Sequence, residues 1–72
     1  MARRTHPLLA VLRDIRIEQG LTQAELAAQA GVHSITIANW EQGRNQPVLD
    51  TLVLVAGVLG YDLALDPRGG EA

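Results

Sequence analysis

Gly31 constrains this chain more than any other residue. It stands between two short runs whose apolar residues recur at helical spacing. The stretch 23–40 reads QAELAAQAGVHSITIANW. Leu26 and Ala27 fall on a first helix, Gly31 and Val32 at a turn, and Ile37 and Trp40 on a second helix. A turn this tight needs a residue that takes positive φ, and glycine does so without steric cost. Helices joined this closely must cross closely, so a small residue is wanted at Ala27. Leu26, Val32, Ile37 and Trp40 then point back into the corner. Such a corner has two uses: holding the second helix in the major groove of DNA, or serving as an ordinary helical hairpin in a small bundle.

The 72 residues make one domain, near the lower limit for a core that folds unaided. With one Trp, one Tyr and no Phe, the core must be built from Leu, Ile, Val and Ala. There is no cysteine, which excludes disulfides and thiolate metal sites and fits a reducing cytoplasm. His6 and His33 are too few for a zinc site without help from carboxylates, and no metal and no cofactor is expected. Nor is an enzyme. The chain has no Gly-rich phosphate loop and no arrangement of nucleophile, base and acid, and it is too short to enclose a pocket. Asp14, Glu18 and Glu25 read as solvated helix charges.

No membrane segment is expected, because the longest apolar run, 52–59, falls far short of the roughly 20 residues a span needs. Arg13, Asp14 and Arg16 interrupt the early apolar run too soon for a signal peptide. The net charge is −2, which counts against indiscriminate binding of nucleic acid. The charge is uneven, however. Arg3, Arg4, Arg13 and Arg16 lie early, and Asp62, Asp66 and Glu71 lie at the end.

Residues 1–5 are expected to form a flexible arm, either simply solvated or reaching a phosphate or the minor groove. Thr5 is the expected cap of a first helix, with Pro7 in its first turn. Leu8, Leu12 and Ile15 form the core stripe of that helix, and Gly20 stops it. Thr22 and Glu25 have the spacing of a capping box that opens the second helix. A third helix over 33–42 faces inward with Ile37 and Trp40 and outward with Ser34, Ile35, Ala38, Asn39 and Gln42. That outward face is small and uncharged. Ile35 suits a thymine methyl if exposed and is a packing residue if not.

A fourth helix over 49–59 is apolar almost all round. Leu49, Leu52, Val53, Ala56 and Leu59 share one face, and Leu54, Val55 and Val58 fill the rest. A helix of this kind wants burial on both sides, so Leu54, Val55 and Val58 are assigned to a subunit interface, with Gly57 allowing another backbone to approach. Beyond Gly60, Tyr61, Leu63 and Leu65 alternate with Asp62, Ala64 and Asp66. The period is that of a strand. A lone strand needs a partner, so 61–66 is expected to pair across a dimer, unless it packs as an extended tail on the helices. Residues 67–72 read as disordered, and 6–60 as the folded domain.

The residues between 12 and 65 resemble the Cro/C1-type (phage repressor-like, XRE) helix-turn-helix family. The resemblance is carried by LRDIRIEQGLTQAELAAQAGV, TIANWEQGRNQP and LDTLVLVAGVLG. It implies an all-α, lambda-repressor-like bundle of four to five short helices, with the short C-terminal strand added. It also implies a cytoplasmic homodimer that represses transcription by binding a palindromic site on double-stranded DNA. Base reading falls to His33, Ser34, Ile35 and Asn39. Contacts to the DNA backbone fall to Thr22, Gln23, Thr36, Arg44 and Asn45. Gln23 is further expected to brace the start of helix three.

In the same family an arginine of helix one pairs with a glutamate late in helix three, which nominates Arg16 and Glu41 as a structural pair. His33 stands where Ser or Thr often caps helix three, so that cap is weaker. His33 also brings either pH sensitivity near neutrality or simply an uncharged surface imidazole. Many members carry Arg, Lys or Gln where this chain has Ser34, Ile35 and Ala38, so modest affinity per half-site is expected. The tail after Gly60 is similar to antitoxins of the HipB type, which implies a second role: neutralising a toxin protein through the C-terminal strand, with DNA binding secondary.

Overall fold

The computed structural model describes residues 5–68. Four helices follow in order: α1 (Pro7–Glu18), α2 (Gln23–Ala30), α3 (Ser34–Glu41) and α4 (Leu49–Val58). Most of the expected arm and tail, 1–4 and 69–72, lies outside the described residues.

Local chemistry sets the helix ends. At the start of α2 the Thr22 hydroxyl accepts from the Glu25 N–H at 3.0 Å, and the Glu25 carboxylate accepts from the Thr22 N–H at 2.8 Å. Both halves of the capping box are therefore made, satisfying two of the N–H groups that a helix start leaves without partners. At the other end Gly31 sits at φ +73°. Its N–H and that of Val32 turn back to Ala28 and Ala27 carbonyls at 3.3 and 3.0 Å. This is the paired closure of a Schellman turn. The same closure recurs where α1, α3 and α4 end, at Gly20, Gly43 and Gly60.

α1 starts differently from expectation. Its cap is His6, whose Nδ1 accepts from the Leu8 N–H at 3.0 Å. Thr5 does not cap it. Its hydroxyl is drawn instead to the Glu41 carbonyl, 2.6 Å away at the end of α3.

All four helices supply the core. Leu9 and Leu12 come from α1, Leu26, Ala27 and Ala30 from α2, Ile37 and Trp40 from α3, and Val55 and Ala56 from α4, with Leu59 just after it. Ile37 and Val55 are the largest fully buried side chains, and burying one such side chain is worth about 1.5–3 kcal/mol. Ala27 lies at the α2–α3 corner with almost no exposure, the small residue that a close crossing requires.

The structure corrects one expectation about the C-terminal third and leaves a second to the dimer. The inward face of α4 is Val55 and Ala56 with Leu52 partly buried, while Leu49 and Val53 are exposed. Val55, assigned from sequence to a subunit interface, therefore packs inside its own chain. The helix is apolar nearly all round, so its pattern did not fix which side faces in. The strand expected over 61–66 is not formed among the described residues of the single chain. A ladder needs a second strand, and the described residues supply none, so the expected pairing falls to a second subunit.

Candidate nucleic-acid interface

The corner between α2 and α3 organises the site. Ile37 and Trp40 anchor α3 in the core, and helical geometry then turns Ser34, Ile35 and Asn39 away from it. Ile35 is 60% exposed, a large apolar residue with no core to enter. His33 and Ser34 are also exposed, and Thr36, Ala38 and Asn39 are half-buried. The side chains of His33, Ser34 and Asn39 make no hydrogen bond to a described residue. His33 occupies the cap position of α3 without capping it, as expected from its replacing Ser or Thr. The polar groups of this face are thus free for another molecule.

Behind the face lies a polar brace. Arg16 is buried and grips Glu41 with two nitrogens, Nε to Oε2 and Nη2 to Oε1, both at 2.9 Å. Its Nη1 donates to the Leu21 carbonyl at 2.7 Å. Gln23 Nε2 donates to Glu41 Oε1 at 2.9 Å. A buried charge pair is tolerable only when its donors and acceptors are satisfied, and no buried side-chain nitrogen or oxygen among the described residues lacks a partner. The pair that the resemblance implied is therefore formed. Gln23 braces α3 at its end rather than at its start.

Of the residues assigned to the DNA backbone, Thr22 and Gln23 lie at the start of α2, Thr36 is half-buried on α3, and Arg44 and Asn45 follow it. The Thr22 oxygen is occupied as a cap acceptor, which leaves its O–H proton free to donate to a phosphate oxygen. One N–H of Gln23 is taken by Glu41, and the other remains. Arg44 and Asn45 lie exposed in the loop after α3. The Arg44 N–H closes on the Asn39 carbonyl at 2.9 Å, fixing the start of that loop to α3.

Two tertiary bonds had no signal in the sequence. The Thr5 hydroxyl holds the Glu41 carbonyl, and the Gln19 amide donates to the Leu59 carbonyl at 2.7 Å. Each joins residues far apart in the chain, and neither lies in a motif. No helix among the described residues is long and apolar enough to cross a membrane.

A glycine-turned helical corner with one helix half-anchored and half-presented defines a helix-turn-helix domain. The helix-turn-helix family profile matches residues 12–65. The chain belongs to the Cro/C1-type (XRE) helix-turn-helix family. It is 35% identical over 68 residues to an uncharacterized HTH-type transcriptional regulator of Sinorhizobium fredii, covering 94% of this chain and 35% of that protein. It is 40% identical over 53 residues to the immunity repressor protein of Bacillus phage phi105, covering 74% of this chain and 37% of the repressor. The chain thus spans little more than a third of these relatives' length. Among solved structures, the clp gene regulator ClgR from C. glutamicum matches with a TM-score of 0.72 at 32% identity, over 78% of this chain and 72% of that one.

Proposed function

We infer that the chain is a sequence-specific DNA-binding transcriptional regulator, a repressor like its phage relative. It binds a two-fold symmetric operator as a homodimer, with α3 in the major groove. The observation that carries this reading is the division of α3. Ile37 and Trp40 are locked in the core, while the unbonded, uncharged side chains of Ser34, Ile35 and Asn39 face out over a satisfied polar brace.

Each residue has a role that fits its chemistry. Asn39 can make two hydrogen bonds to adenine, Ile35 meets a thymine methyl, and Ser34 and His33 contact bases at the helix start. Thr22, Gln23, Thr36, Arg44 and Asn45 hold the sugar-phosphate backbone. The homodimer reading draws on the exposed apolar side chains Leu54 and Tyr61, the partly buried Val58, and Leu65. A dimer would set two copies of α3 about one helical turn apart, roughly 34 Å.

Selection from a random duplex pool at near-physiological salt tests the reading. Enrichment of a symmetric motif with half-sites about one turn apart is the expected result. A pool that stays unenriched sinks it.

A second reading is favoured by the free backbone of the C-terminal segment: a module that neutralises a toxin-like partner protein. Asn39→Ala separates the two: it should weaken operator binding and leave capture of a partner by the C-terminal segment unchanged, whereas truncation after Gly60 would remove dimer and partner contacts together.

A further inference from the structure

The segment after α4 is short of partners in two ways. The Tyr61 N–H closes on the Ala56 carbonyl at 2.9 Å. Beyond it, no backbone group of 62–67 bonds to a described backbone group. These residues run without helix, turn or bend. A row of free N–H and C=O groups is a template for a second strand. The segment also walls a groove of about 680 Å³ with Leu8, Leu49, Leu52 and Val53. Leu65 stands fully exposed at its edge, and Leu63 is half-buried against the core.

The alternation of charge and apolar side chains in this segment decides how two copies can meet. In a two-fold antiparallel pair, apolar positions meet apolar ones only if a residue, not a gap between residues, lies on the axis. With Asp62 on the axis, two Asp62 side chains face each other. With Ala64 on the axis, Asp62 faces Asp66 of the partner subunit, twice. Like charges directly opposite destabilise a pair. Centres farther back run into α4. Centres farther on bring in Pro67, which has no N–H to give to a ladder. With Leu63 on the axis, Asp62 faces Ala64, Asp66 faces Gly60 and Tyr61 faces Leu65, so no two carboxylates are opposed.

We propose that a second copy of this chain pairs with 61–66 in that register, with Leu63 on the two-fold axis and Tyr61 against Leu65 of the partner subunit. The proposal rests on the homodimer reading and adds its geometry. It covers the fully exposed Leu65 with an aromatic ring and, because opposed residues bond alternately and the Tyr61 N–H is already taken, lets Asp62 and Ala64 exchange backbone hydrogen bonds with the partner subunit. It also places two Leu63 side chains together above the cores they already touch.

The absence of cysteine makes the register measurable. Single substitutions Asp62→Cys, Leu63→Cys, Ala64→Cys and Leu65→Cys each report one axis position. Directly opposed Cβ atoms lie about 4.5–5.5 Å apart and diagonal ones roughly 7–8 Å. Disulfides form near 3.5–4.5 Å, roughly. Under mild oxidation, Leu63→Cys is expected to convert to a covalent dimer while the other three remain single chains. Mixing Tyr61→Cys with Leu65→Cys is expected to give the mixed dimer that neither gives alone. That pair keeps Leu63 intact should its substitution loosen the fold.

Faster crosslinking at Asp62, Ala64 or Leu65 overturns the register. A dimer by light scattering with no crosslink in any variant overturns strand pairing and leaves the homodimer standing. A monomer by light scattering overturns the homodimer reading itself.

Discussion

Arg16 and Glu41 meet as a two-pronged ion pair, 25 residues apart in sequence and nearly closed off from solvent. The pair ties α1 to the last residue of α3. Through Gln23 and the Thr5 hydroxyl, Glu41 is also fastened to α2 and to the chain before α1. α3 is thus held at its last residue by one carboxylate and one backbone carbonyl.

Glu41→Ala would leave the Arg16 guanidinium buried without its partner, at a cost of about 3–5 kcal/mol. That is most of what a domain this size has. Urea unfolding should show the variant largely unfolded. Arg16→Met combined with Glu41→Leu should recover much of the loss, because no unpaired charge remains.

Gly31→Ala tests the turn. A Cβ built there meets nothing within 4 Å, so its cost is the left-handed backbone alone, roughly 1–2 kcal/mol. Gly31→Asn should cost less, since Asn tolerates that conformation. Equal losses for the two would mean that the turn is crowded.

Asn39→Ala and Arg44→Ala should fail in different ways on DNA. The first is expected to relax base preference at one position, at about 1–3 kcal/mol. The second should weaken binding to all sequences alike and reduce the salt slope by roughly one. If both behaved alike, reading and gripping would not be divided between these residues.

Gly57 lies exposed on α4, and a Cβ there meets nothing beyond its own helix's backbone within 4 Å among the described residues. Gly57→Ala should therefore stabilise the fold by roughly 0.5–1 kcal/mol. Thermal unfolding across a range of protein concentrations measures this. A loss that grows with concentration would reveal a second backbone passing over Gly57.

Short-range signals in the sequence were reliable. Thr22 and Glu25 three residues apart announced the start of α2, and Gly31 announced its end, because both act within one turn. The buried pair of Ile37 and Trp40 followed from spacing, and Arg16 with Glu41 from the family resemblance. Choices settled by distant contacts were not legible. Thr is the stronger cap in isolation, but Thr5 is claimed by the Glu41 carbonyl from the far side of the fold, and His6 caps α1 instead. The apolar pattern of α4 has no polar side to mark its outside. Val55 rather than Val53 turns inward because of where α2 and the rest of the core lie.

α3 carries no cation, and its one formal charge, on Glu41, is neutralised by Arg16. Long-range attraction is what speeds a protein's arrival at DNA and lets it slide along arbitrary duplex. If α3 reads bases as proposed, a helix without such attraction would gather few unproductive encounters and gain little acceleration toward productive ones. Occupancy of an operator would then depend on residence time at the matched bases rather than on rate of capture. On the proposed reading, such a helix would be less readily titrated away by competing genomic DNA.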